Sequence, residues 1–157
     1  MDCLLFGGAP SVGKSETIYR LTLFLLSKGF VDVLGTVPAS FSDFNAVLEG
    51  LDKSGKNVRV VINTATDTPA LIHRFKHFFD TNGSYDILIS SVRDDNFWPR
   101  NQFFTIMGIS ASSHKIIEIP LAKITRRGAS FSTALSWYET SNDALNQHIL
   151  SSQPFNL

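Results

Sequence analysis

The sequence predicts an α/β fold, a three-layer α/β/α sandwich with a mainly parallel, five-stranded sheet, in one domain spanning residues 1–157. Short apolar runs alternate along the chain with segments of helical period, the pattern of strands joined by helical crossovers. Two of those runs, Val60-Val61-Ile62 and Ile87-Leu88-Ile89, lack polar alternation, as strands do when both faces are covered. The composition, 43% hydrophobic and 18% charged, is that of a folded domain long enough to bury a core.

Taken in order, Cys3 to Phe6 is the first strand, and Gly7-Gly8 follows it at once. Lys14 to Ser27 reads as a helix that is apolar nearly all round, hence buried on more than one side, and Gly29 suits its left-handed end. Val31 to Val37 is the second strand, closed by Pro38. A helix is expected from Ser42, because Phe44, Val47, Leu48 and Leu51 fall at i, i+3, i+4, i+7, with the polar turn Asp52 to Lys56 ending it. Val58 to Asn63 is the third strand. Thr68-Pro69 is a helix start, a hydroxyl cap followed by proline at the first helical position, and Asn82-Gly83 is the stop. Tyr85 to Val92 is the fourth strand. Pro99 opens a short helix that ends before Gly108, and Lys115 to Leu121 is the fifth strand. The tail from Thr133 to Leu150 reads as helix, with an extended Ala129 to Trp137 as the alternative.

Bulk charge excludes some partners. Lys plus Arg equals Asp plus Glu at 14 each, so no overall field recruits nucleic acid or an anionic membrane. The apolar stretch Ile18 to Leu26 is interrupted by Arg20 and Thr22 and is too short to span a bilayer. Cys3 stands alone in the first apolar run, where burial is expected and no intrachain disulfide is available. These features lead to the expectation of a soluble, cytoplasmic protein.

The chemistry concentrates near the N-terminus. Gly8-Ala9-Pro10-Ser11-Val12-Gly13-Lys14-Ser15 satisfies G-x-x-x-x-G-K-[ST] at every position, with Glu16 directly after it. Gly8 and Gly13 permit backbone angles and a close phosphate approach that a Cβ would forbid. Successive N–H groups then form an anion nest, reinforced by the positive end of the following helix. Lys14 adds a mobile charge for the β- and γ-phosphates, and the Ser15 hydroxyl suits Mg²⁺. Lying between a predicted strand and a predicted helix, the motif has the context its mechanism needs.

On these residues the chain resembles the P-loop NTPase superfamily, over the whole domain. The resemblance implies a nucleoside triphosphate, expected to be ATP, bound with Mg²⁺ on Gly8 to Glu16. Motifs of the signalling GTPases, a long motor insertion and a second domain are all missing from the sequence. The remainder looks like the nucleoside and nucleotide kinase group, in which a small-molecule acceptor binds opposite ATP. Arg93, just past the fourth strand, is similar to the strand-Val-Arg feature of deoxynucleoside monophosphate kinases. Arg126 and Arg127 stand where such kinases place lid arginines, and a solvated turn is the alternative for them. Asp67 is the expected metal ligand beside Ser15, or a base for the acceptor hydroxyl, although it could simply favour the helix N-terminus. Asp94 and Asp95 compete with it for that role. Asp32 and Asp86 begin strands and so fall at the wrong edge of the sheet.

Other features leave choices open. His73 and His77 share one helix face, read as solvent-facing rather than metal-binding. Phe97-Trp98 either stacks on a ligand or fills a gap in the core. The absence of an acidic residue directly at the end of the third strand favours a rival function: a nucleotide-dependent switch, or an inactive kinase-like subunit, working through a protein partner. A homodimer also fits this class.

Overall fold

Continuous burial along the first strand explains how the chain is layered. In β1 (Asp2–Gly7), Leu4 and Phe6 face one apolar cluster while Cys3 and Leu5 face another. A strand buried on both faces must have a covering layer on each side. The computed structural model describes residues 1–94, 97–124 and 130–157. After β1 come α1 (Lys14–Ser27), β2 (Val31–Gly35), β3 (Asn45–Leu51), β4 (Asn57–Asn63) and α2 (Pro69–Thr81). Then follow β5 (Ile87–Val92), α3 (Pro99–Met107), β6 (Lys115–Pro120) and α4 (Phe131–Leu150). Among these residues the fold is α/β, with four helices and a 6-stranded mixed sheet in the order β2-β3-β4-β5-β1-β6.

Four of those strands, β4, β5, β1 and β6, run parallel, while β3 pairs antiparallel with β4 and β2 antiparallel with β3. Ile18, Leu21 and Leu25 of α1 and Leu150 of α4 pack on one face with Leu4, Phe6, Ile62 and Ile89. Ile72 and Phe75 of α2 and Phe103 and Met107 of α3 pack on the other with Leu5, Val61 and Leu88. No helix among the described residues is long and apolar enough to cross a membrane.

The expected helix from Ser42 is instead the strand β3, so the sheet has six strands and is less parallel than the sequence suggested. The residues Val47 and Leu48 fit a helical stripe, yet they lie in opposite apolar clusters, which is the two-residue period of a strand. The turn Asp52–Lys56 decides the geometry. Asp52 Oδ1 accepts hydrogen bonds from the backbone N–H of Ser54 and Lys56 at 2.8 and 3.0 Å, and Gly55 takes φ +83°. So short a connection cannot carry a crossover, and β3 and β4 therefore pair antiparallel. Packing also requires glycine at position 50, where a Cβ would lie 2.6 Å from the ring of Phe30.

The remaining elements form where their signals place them. Thr68 caps α2 by accepting the Leu71 N–H at 3.3 Å, with Pro69 at the first helical turn. Pro99 opens α3, and Gly108 ends it in the left-handed conformation at φ +67°. The C-terminal segment is helical from Phe131, which removes the extended alternative for the described part, 130–137. Cys3 is fully buried, and burial raises its thiol pKa from 9.0 to about 11. Asp86 lies before β5, where it accepts the Arg59 N–H at 2.9 Å, away from the carboxyl edge of the parallel strands.

Candidate functional site at the carboxyl edge of the sheet

Parallel strands deliver their following loops to one edge, so the segments after β1, β4, β5 and β6 meet there. Gly8 adopts φ +147°, Ser11 +58° and Gly13 +90°, a winding loop that ends directly on α1. Glycine is required at Gly13, the residue before the helix, because its φ lies in the region L side chains avoid. No side chain caps α1, so its first N–H groups stay directed toward the loop.

Lys14 folds back over this loop. Its Nζ donates to the carbonyls of Gly8 and Ala9, each at 2.8 Å, and the residue is only 8% exposed. Burial lowers its pKa; Asp67 and Asp94 raise it and Arg93 lowers it by smaller amounts. Four charges, two of each sign, therefore share one field beside the loop.

Ser15 points the other way, into a buried hydroxyl network. Its Oγ donates to the Thr64 carbonyl at 2.8 Å, and Ser91 Oγ donates to the same oxygen at 2.8 Å. Thr66 Oγ1 donates to the Ser91 carbonyl at 3.2 Å, and Asn63 Nδ2 donates to Ser90 Oγ at 3.0 Å. Hydroxyls and an amide occupy the strand ends beneath Ser15, and its recorded hydrogen bond goes to a backbone carbonyl.

Asp67 and Arg93 come together. Arg93 Nη1 donates to Asp67 Oδ1 at 2.7 Å, with side-chain exposures of 7% for the arginine and 60% for the carboxylate. Asp94 Oδ1 lies 3.8 Å from Arg93 Nε, and the Phe97 ring centroid lies 4.5 Å from Arg93 Cζ. Phe97 thus stacks on an arginine at the ligand edge instead of filling the core. Arg100 holds the Arg93 carbonyl at 3.1 Å and grips Glu118 with two hydrogen bonds, at 2.8 and 2.6 Å. A Cβ at Gly7 would collide with that Glu118 carboxylate, so glycine there admits the pair.

On the α1 and α4 side of the loop lies a cavity of about 930 Å³. Ala9, Pro10, Ser11, Val12 and Gly13 form one wall; Phe131, Leu135 and Tyr138 of α4 face it. Glu16, Thr17, Arg20 and Glu139 close the end. Arg20 Nε donates to Asp143 at 2.7 Å, and its Nη1 lies 3.6 Å from Glu16 and 3.9 Å from Glu139. Tyr138 Oη accepts the Ala122 N–H at 2.8 Å, tying α4 to the segment after β6.

The structure therefore pairs Asp67 with Arg93, sets Lys14 within the field of both, ties Ser15 to the Thr64 carbonyl after β4, and puts Glu16 on the cavity side. Arg126, Arg127 and Asp95 lie outside the described residues. His73 and His77 are exposed, and no cluster of metal-binding side chains occurs among the described residues. Sequence reasoning missed the cavity wall from α4, the Arg20 network and the Arg100–Glu118 pair. The Ser90-Ser91 pair in an otherwise apolar strand was the available signal for the buried network. The chain matches no family model, and no curated protein or solved structure gives a match.

Proposed function

We propose that this chain binds a nucleoside triphosphate with Mg²⁺ and transfers its terminal phosphoryl group to a small acceptor. The observation that carries this proposal is the Gly8–Ser15 loop: positive φ at Gly8, Ser11 and Gly13, an uncapped helix behind it, and Lys14 laid across its carbonyls. Such a loop turns N–H groups inward, and anions favour both those groups and the helix end. A phosphate chain would take Lys14 from the carbonyls it now holds. The neighbouring cavity, with its aromatic and aliphatic wall, has room for the nucleoside half. ATP is the nucleotide proposed.

Mg²⁺ takes oxygen ligands and often uses one or two protein groups beside phosphates and water. The Ser15 hydroxyl and the exposed Asp67 carboxylate have the right donor type and would hold it. When bound, the ion would neutralise charge on the phosphates. The chain's own residues supply positioning: the loop orients the phosphates, Lys14 balances charge, and Arg93 stands where guanidinium donors reach an oxyanion. Asp67 is the residue proposed to orient an acceptor hydroxyl. A reducing, cytoplasmic compartment is proposed as well, in keeping with a buried lone thiol.

A second function, a nucleotide-dependent switch acting through a protein partner or a second copy of the chain, is favoured by one observation. Ser15 hydrogen-bonds a backbone carbonyl and is surrounded by hydroxyls at the strand ends, an arrangement poor in the carboxylate that activates water. Measuring ATP consumption with Mg²⁺, with and without a panel of nucleosides, nucleotides and other hydroxyl acceptors, separates the two. Acceptor-dependent ADP production that disappears in Lys14→Ala supports the kinase. Nucleotide binding without acceptor stimulation transfers support to the switch, and no nucleotide binding at all rejects both.

A further inference from the structure

Arg93 and Asp67 form an unequal pair, and the inequality has a consequence. The arginine is 7% exposed in its side chain, stacked under Phe97 and held through its carbonyl by Arg100. The carboxylate is 60% exposed. A buried side chain stacked on a ring keeps its place, whereas an exposed aspartate has water to turn to when it leaves. Arg93 Nε is buried without a hydrogen-bond partner among the described residues, with Asp94 Oδ1 3.8 Å away, so Nη1 on Asp67 is the guanidinium's close contact with a carboxylate.

We propose that Arg93 is a preformed seat for a phosphoryl oxyanion and that Asp67 occupies it competitively, as a latch that must leave before the anion enters. The proposal rests on the nucleotide function above. Before any ligand arrives, Lys14 and Arg93, among the described residues, are engaged by the protein itself: Lys14 by the carbonyls of Gly8 and Ala9, and Arg93 by Asp67. The two engagements differ in kind. Carbonyls that release Lys14 remain part of the loop, but a carboxylate that releases Arg93 leaves a full charge beside the incoming phosphate. Exchange is therefore unfavourable until the anion carries enough charge to displace Asp67, and the latch discriminates between anions by charge. The seat suits the terminal phosphate of the nucleotide or the phosphate of a second ligand, since planar guanidinium donors match both.

The test is equilibrium binding of ATP, of ADP, and of ADP with added inorganic phosphate, all in metal-free buffer. Four chains are compared: the unmodified protein, Asp67→Asn, Arg93→Gln and the double variant. Asparagine keeps an oxygen to accept from Arg93 while losing the charge, so the fold is retained and thermal unfolding verifies it. The expected result is that Asp67→Asn tightens ATP about fivefold to tenfold with ADP little changed, or tightens ADP only when phosphate is present. The first pattern assigns the seat to the nucleotide's own terminal phosphate, the second to another ligand. Either gain must vanish in the Arg93→Gln background. A gain that survives without the arginine reflects simple removal of negative charge and overturns the latch, as does the absence of any gain in a protein that binds ADP normally. Failure of the unmodified chain to bind ADP would instead reject the nucleotide function on which the latch depends.

Discussion

On one face of the sheet, Ile72 and Phe75 of α2 and Phe103 and Met107 of α3 share one apolar seam, with aromatic contacts inside each helix. On the other face, α4 meets α1 through Thr17, Arg20, Asn142 and Asp143, with Asn146 buried among them. The second seam lies beside the cavity, and Thr17 and Arg20 serve both the seam and the cavity wall. The same helix pair also shares the apolar cluster of Ile18, Leu21, Leu25 and Leu150 beneath these polar contacts. The difference teaches that close apolar packing and a polar contact beside a cavity lie on opposite faces of one sheet, and the proposed function assigns binding to the second.

The apolar seam should respond with the largest loss of stability. Phe75 is fully buried in it, and Phe75→Ala removes a ring from a packed cluster. We expect a loss of about 3–5 kcal/mol in denaturant unfolding. Nucleotide affinity measured below the transition should change little, because Phe75 lies in the layer opposite the cavity. A loss under about 1 kcal/mol would break the assignment of stability to this face.

On the other side, Lys14→Ala should invert that pattern. The side chain is 8% exposed, and its Nζ partners are the carbonyls of the loop itself. We expect triphosphate affinity to fall about a hundredfold by titration, from loss of charge-assisted contacts to phosphate, while the unfolding midpoint changes little. Equal losses in binding and stability would mean that the lysine is a structural strut of the loop.

How much of this division could be read beforehand depends on the region. The helix beginning at Lys14, the capped start of α2 and the proline opening of α3 are local signals, and each formed as the sequence indicated. Ser42 to Leu51 failed because four apolar residues fit two periods, and only the pairing of β3 with β4 selects the strand. Arg93 was recognisable as a strand-end residue, and Asp67 as an acid lying between the end of β4 and the start of α2. Their contact depends on β4 lying beside β5, with Asn63 opposite Ser90, and strand order is not carried by local pattern. The polar seam was hidden for a related reason. In α4 the periodic apolar residue Leu145 is exposed, while Asn142 and Asn146 face inward, so hydrophobic period pointed to the wrong stripe.

Both faces bury titratable groups, and alkaline unfolding distinguishes two of them, Cys3 and Lys14. Cys3 belongs to the apolar side, where burial raises its pKa from 9.0 to about 11. Between those values the native thiol keeps a proton that the unfolded chain has released, so this contribution to stability is complete below pH 9.0 and declines toward about 11. Its slope is at most about 1.4 kcal/mol per pH unit. Lys14 has the opposite sign. Burial lowers its native pKa below the ordinary 10.5, so in the interval between the two the unfolded chain binds more protons and stability rises with pH. Cys3→Ala should remove the declining component and Lys14→Met the rising one, both read from unfolding midpoints between pH 8 and 11. A decline that persists in Cys3→Ala would place its origin elsewhere.

The smallest effect expected is the most specific to the polar seam. Asn146 is 1% exposed, and neither its Nδ2 nor its Oδ1 has a hydrogen-bond partner among the described residues. A buried amide without partners costs about 1–3 kcal/mol, so Asn146→Leu should stabilise the fold, by about 1 kcal/mol once the imperfect fit of the branched side chain is allowed for. Few buried polar-to-apolar substitutions stabilise a protein unless the original group was unsatisfied, which makes the sign of the change informative. The substitution leaves Arg20–Asp143 and Thr17–Asn142 in place, so the cavity wall is retained. Nucleotide affinity in the variant then isolates what the seam does for the site. Unchanged affinity with higher stability would mean that the amide is merely a cost of this interface. Weaker affinity despite higher stability would mean that binding requires α4 to shift against α1, and that a polar, incompletely bonded seam is what allows it to move.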